Sequence, residues 1–117
     1  MRVVVCGRTS YQGEALVHRT LSELYGGNPR ITVITTDALG GAALYARRWC
    51  AEAQVPVETI ICRDRSPKTQ GHLLLGSRPD LVLIFTKGAT SRWLLHLCKS
   101  KQRRIPVLQP AIQEAAE

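Results

Sequence analysis

Five short apolar runs, largely β-branched, alternate with segments of helical period, and this alternation constrains the fold more than any other feature of the chain. The runs are Arg2–Cys6, Ile31–Thr36, Val57–Cys62, Leu81–Phe85 and Ile105–Leu108. They are near-continuous rather than alternating, as expected for strands covered on both faces of a parallel sheet. Between them, Val17, Leu21 and Leu24 mark a helix over Tyr11–Tyr25. Ala43, Ala46, Cys50 and Ala53 form a small-residue stripe over Gly41–Gln54, and Leu94, Leu95 and Cys98 repeat the period over Ser91–Gln102. Asp64–Gly76, with Pro67 and Gly71, reads as a loop holding one helical turn at His72–Leu75. Gln109–Glu117 reads as a frayed tail or a short terminal helix. Gly26-Gly27-Asn28-Pro29 stops the first helix, and Pro56 and Pro106 mark entries to strands. Strand–helix alternation requires right-handed crossovers, so the expected fold is a Rossmann-like three-layer α/β sandwich with a five-stranded parallel sheet. The expected strand order is 3-2-1-4-5. A length of 117 residues makes this one domain, 1–117.

Two turns carry the functional signal. Gly7-Arg8-Thr9-Ser10 follows the first strand, and Thr86-Lys87-Gly88-Ala89-Thr90-Ser91 follows the fourth. A strand that delivers a Gly/Ser/Thr turn to a helix start directs free backbone N–H groups and the positive end of the helix dipole at one spot, which suits an anion such as phosphate. In the order 3-2-1-4-5 the first and fourth strands are neighbours, so the two turns converge on the crevice at the topological switch point. Each residue also has a plainer reading. Arg8 pairs with a ligand phosphate or lies on the surface. Thr9 and Ser10, like Thr90 and Ser91, contact the ligand or cap their helices. Lys87 restores positive potential to its loop or faces solvent, and Asp37, ending the second strand, accepts from ribose hydroxyls or caps a turn.

Charge and cysteine usage narrow the classes. Sixteen Lys/Arg against nine Asp/Glu give a net charge of +7, which favours polyanionic or acidic partners. Lys99, Lys101, Arg103 and Arg104 close the last helix, where cations complement the dipole, and only Trp93 lies near them. One aromatic residue poorly supports a base-stacking platform for a nucleic-acid strand. Cys6, Cys50, Cys62 and Cys98 lack a C-x-x-C spacing, so buried free thiols are expected rather than a metal or redox site, with Cys6 the one beside the proposed crevice. No metal and no cofactor is expected. No apolar run approaches the roughly 18 residues of a membrane span, and the chain enters a strand without an apolar leader, so a cytoplasmic protein without membrane contact is expected.

The stretch Met1-Arg2-Val3-Val4-Val5-Cys6-Gly7-Arg8 resembles the YspA/cpYpsA-related SLOG family. So do Ala46-Arg47-Arg48-Trp49 leading to Val55-Pro56-Val57-Glu58, the stretch Arg78–Phe85, and Ile105-Pro106-Val107-Leu108. The likeness runs through nearly the whole chain in element order. It implies a compact Rossmann-type domain, related to the Lonely Guy phosphoribohydrolases and to the DNA-binding fold of DprA, that binds nucleotide-derived ligands. It also implies self-association, hence a homodimer. The family's Gly-Gly-Ala-Arg-Gly-Ala-Asp motif becomes Thr36-Asp37-Ala38-Leu39-Gly40-Gly41-Ala42 here, with Gly40 the retained glycine, Leu39 at the arginine and Ala42 at the acid. Its Pro-Gly-Gly-x-Gly-Thr motif becomes Thr86–Ser91, retaining Gly88 and a terminal hydroxyl. Glycines in such loops let backbone N–H groups approach a phosphate, so these replacements reshape the pocket.

The expected site is therefore Gly7, Arg8, Thr9, Ser10, Asp37, Gly40, Lys87, Gly88, Thr90 and Ser91, with no catalytic residue. Phosphoribohydrolase chemistry needs an acid beside the glycosidic carbon, and the resemblance puts apolar or small residues where the related enzymes carry an arginine and a glutamate. His18, His72 and His96 share no spacing with a nucleophile or an acid. The leading expectation is a non-catalytic domain that binds a nucleotide-derived or phosphorylated small molecule, or a partner protein, at the crevice. The alternatives are an N-glycosidase-type enzyme using Asp37 or Glu14, and DprA-like nucleic-acid binding through Arg47, Arg48, Lys99, Lys101, Arg103 and Arg104. A further alternative is a small phage-type regulator of a host protein, anchored by Trp93 and Tyr45.

Overall fold

The computed structural model describes residues 1–63, 66–86, 88–100 and 105–110. In chain order the elements are β1 (Arg2–Cys6), α1 (Glu14–Gly27), β2 (Thr32–Thr36), α2 (Gly41–Ala53), β3 (Val57–Ile60), α3 (Pro67–Gly76), β4 (Leu81–Ile84), α4 (Ala89–Ser100) and β5 (Val107–Leu108). The strands form one parallel sheet in the order β3-β2-β1-β4-β5, as the alternation predicts. β1 and β4 are neighbours, with Val3 opposite Leu81 and Cys6 opposite Ile84.

The two-residue strand period divides the core between the faces of the sheet. Val3, Val5, Val33, Leu81 and Leu83 pack with Val17 and Leu21 of α1 and with Ala46, Trp49 and Cys50 of α2. Val4, Cys6, Ile34, Val82 and Ile84 pack with Leu74 of α3 and with Leu94, Leu97 and Cys98 of α4. β1 and β4 are therefore covered on both sides. β3 is not: Val57, Glu58 and Thr59 are exposed, because this edge strand has one neighbour and the helices roof the inner strands. Glu58 and Thr59 place polar side chains on this open edge.

Three local expectations change. α1 begins at Glu14 after the N-cap Gly13, which gives no side-chain cap, so Thr9 and Ser10 lie in a loop. The chain turns before the helix: the Tyr11 amide donates to the Arg8 carbonyl (3.1 Å), and the Tyr11 ring sits 6.0 Å from that of Phe85. α3 is a ten-residue helix rather than a single turn. Ser66 caps it by accepting from the Thr69 amide, Pro67 occupies its first turn, and Gly71, Leu74 and Leu75 are buried. α4 starts at Ala89, so Thr90 and Ser91 lie in its first turn instead of capping it. The expected tail over Gln109–Glu117 falls largely outside the described residues.

Candidate functional site

The carboxyl ends of β1 and β4 are bound together by their own loops. The Phe85 amide donates to the Cys6 carbonyl (2.9 Å), and the Arg8 amide donates to Thr86 Oγ1 (2.7 Å). Glycines set how closely the neighbouring segments approach. Gly41 has φ of 72°, and a Cβ there would sit 2.0 Å from the Arg8 carbonyl oxygen. A Cβ on Gly40 would lie 2.8 Å from the Thr9 carbonyl oxygen, and one on Gly7 would lie 2.9 Å from Ala42 Cβ. A Cβ on Gly88 would meet Arg8 Cγ at 2.9 Å. The room these glycines leave is filled by the protein itself. Their freedom serves the packing of loop on loop, a role the ligand-centred sequence reading did not assign them.

Above this junction lies a cleft of about 500 Å³ at the switch point. The expected residues Gly7, Arg8, Thr9, Ser10, Asp37, Gly88, Thr90 and Ser91 all line it. Gly40 does not line it and instead supports the loop from below; Lys87 lies outside the described residues. The first turn of α4 forms one wall and α2 contributes Ala43, whereas no residue of α1 reaches the cleft. The expectation that the starts of the first and fourth helices share the hollow therefore holds for α4 alone, because Thr9–Gln12 intervenes before α1.

Thr36, Ala38, Leu39, Gln70 and Ala89 complete much of the wall. Gln70 was hidden by the reading of α3 as a loop; its Oε1 accepts from Thr90 Oγ1 at 2.8 Å, fixing α3 to the first turn of α4. Leu39 is 92% exposed, an apolar side chain at the cleft. Arg47 was the other missed contributor. Its guanidinium donates to the carbonyls of Thr36 and Ala38, a fork that fixes the loop carrying Asp37.

The electrostatics of the cleft are mixed. Among the described residues no acceptor pairs with the Arg8 guanidinium, whose backbone alone is engaged. Helix geometry leaves the first amides of α4 without intrahelical partners and adds the positive end of its dipole. Asp37 brings a carboxylate to the same cleft. At the floor, buried Cys6 lies with Sγ 3.3 Å from Oγ of buried Ser91. Desolvation raises the Cys6 pKa, outweighing the opposing hydrogen bonds from Ser91 and the Gly7 backbone, so the thiol stays protonated and is a poor nucleophile at neutral pH. The other three cysteines are buried and unlinked, with Cys50 pushed up to about 11 by burial.

The remaining candidates lie elsewhere. Glu14 pairs with Arg48 (3.1 Å) across α1 and α2, and His18 approaches Glu14 at 4.0 Å. Arg47 is bonded to the loop carbonyls and Arg48 pairs with Glu14 at the surface, while Lys101, Arg103 and Arg104 lie outside the described residues. Tyr45 packs against the core, whereas Trp93 is 38% exposed. Among the described residues no group of three His, Cys, Asp or Glu side chains is placed to hold a metal ion, and no helix is long and apolar enough to cross a membrane.

Comparison with curated proteins and with solved structures finds no match. A family model described as the YspA, cpYpsA-related SLOG family matches residues 1–64. The match covers β1 through β3, so the likeness noted around Arg78–Phe85 and Ile105–Leu108 lies beyond it. With more than half of its length matched, and with a parallel 3-2-1-4-5 sheet beneath the match, the chain belongs to the YspA, cpYpsA-related SLOG family.

Proposed function

We propose that this domain binds a phosphorylated, nucleotide-derived small molecule in the cleft beyond β1 and β4, and that it does so without chemical turnover. One observation carries the reading: the Arg8 guanidinium, which has no acceptor among the described residues, and the first turn of α4 line the same cleft. A guanidinium offers paired donors to phosphate oxygens, and the helix start supplies amides and a favourable dipole. Thr90 and Ser91 belong to that turn, and Asp37 is the acceptor suited to ribose hydroxyls. Gly7, Gly40 and Gly88 contribute by setting the loop positions. Leu39 and Ala42 stand where the family pattern has an arginine and an acid, which supports binding over hydrolysis.

Calorimetric titration with ADP-ribose, NAD, AMP and cyclic AMP tests the proposal. At least one should bind saturably, and Arg8→Ala should weaken that binding about tenfold, roughly one lost charge-assisted contact. Absence of heat at millimolar concentration would remove the ligand from the reading. The presence of Asp37 on the cleft favours an N-glycosidase as the second reading. Base release from AMP or NAD, abolished by Asp37→Asn, would replace the binding role with that activity.

A further inference from the structure

Beside the cleft, on the exposed side of α4, a second hollow of about 420 Å³ is lined by Ala89, Arg92, Trp93 and His96. Ala89, in the first turn of α4, lines both hollows. Trp93 keeps 38% of its surface in solvent although it stands against α3, where a Cβ added to Gly71 would meet Trp93 Cβ at 3.2 Å. Lys68 of α3 places Nζ 5.3 Å from the ring centroid, and the His96 ring meets Trp93 edge-on at 6.1 Å. The result is a half-exposed indole set against α3, with the Lys68 ammonium over its ring.

Aromatic faces of this kind take planar bases by stacking, and neighbouring cations complement the charge such ligands carry. A single ring is too little to track a strand of nucleic acid, which agrees with the scarcity of aromatics in the chain, but it suffices for one base. We infer that Trp93 receives the base of a nucleotide whose phosphate occupies the adjoining cleft, so that the α4 first turn separates a phosphate subsite from a base subsite. This inference rests on the ligand reading above and adds the part of the ligand that the cleft does not account for.

Titrations of the full chain with AMP and with ribose 5-phosphate, which lacks the base, test it. AMP should quench tryptophan emission and ribose 5-phosphate should not; the other indole, Trp49, is buried away from both hollows. By calorimetry, AMP should bind about tenfold more tightly than ribose 5-phosphate, and Trp93→Leu should abolish that advantage while leaving ribose 5-phosphate binding unchanged. Equal affinities with no quenching would overturn the base subsite and leave the phosphate cleft standing, as would a Trp93 that serves only a protein surface. A Trp93→Leu variant that weakens both ligands alike would assign Trp93 a structural role instead. Failure of both ligands to bind the unaltered chain would defeat the cleft and the base subsite together. The quenching measurement needs no variant, so a folding defect in Trp93→Leu leaves the inference open to refutation.

Discussion

The two ends of the sheet treat arginine in opposite ways. At the amino end Arg2 is fully committed. Its backbone exchanges hydrogen bonds with Asp80 (2.7 and 2.8 Å), its Nε donates to the Ser77 carbonyl (2.9 Å), and its two terminal nitrogens reach Glu58 at 2.6 and 3.0 Å. At the carboxyl end Arg8 has its backbone held by Thr86 and Tyr11, while its guanidinium faces a cleft with no protein acceptor among the described residues. One end is closed by contacts that tie β1, β3 and the start of β4 together. The other is shaped by equally specific backbone contacts but leaves charge unused. The difference separates what the fold needs from what is left for a partner.

The largest effect that can break this comparison is expected at Gly41. An alanine there meets both a left-handed backbone and the Arg8 carbonyl, so Gly41→Ala should cost about 3 kcal/mol in denaturant unfolding. Gly88→Ala presses only on the flexible Cγ of Arg8 and should cost less than about 1 kcal/mol, while shifting the guanidinium. Equal costs would mean that the carboxyl-end loops are not rigidly set from beneath.

Arg47→Met comes next, at about 2 kcal/mol, since it leaves the carbonyls of Thr36 and Ala38 without their charged donor. Circular dichroism melts would check it; a neutral result would show that the loop bearing Asp37 keeps its form unaided. Arg8→Gln sharpens the contrast further, with stability expected within about 0.5 kcal/mol of the parent because the guanidinium has no hydrogen bond or ion pair to lose among the described residues.

The smallest effect belongs to the Arg2–Glu58 pair, which is substantially exposed and contributes about 0–1 kcal/mol, less in high salt. The hydrogen bond from Arg2 chiefly holds the Glu58 carboxyl below its ordinary value of 4.5. A carboxyl with a depressed folded-state pKa stabilises the fold above its unfolded pKa, and the contribution fades as pH falls through the lower folded value. Glu58→Gln should therefore narrow the stability difference between pH 7 and acid slightly, as followed by thermal melts. An unchanged pH dependence would show that the amino-end tie is not electrostatic.

The sheet was legible because its central strands are continuous apolar runs, a pattern that survives without knowledge of tertiary contacts. The cleft was legible for the same reason: strand order alone brings Gly7–Ser10 beside Gly88–Ser91. What escaped depended on partners distant in sequence. Thr9 and Ser10 carry good capping side chains, but the turn closed by Tyr11 on Arg8 moves the helix start beyond them. α3 is too short for its apolar period to stand out, although Ser66-Pro67 is a readable start signal. The role of Arg47 is set by carbonyls of another segment, which no residue type announces. Glycines that resemble phosphate-loop residues serve loop packing, and only the space around them reveals it.

The most direct test of the central claim is an amide-resolved NMR titration of the ¹⁵N-labelled chain with AMP. Saturable shifts should concentrate at Arg8 and Gly88–Ser91, with Arg2 and Asp80 at the opposite end unmoved. Shifts centred at the amino end, or none at millimolar AMP, would contradict the account.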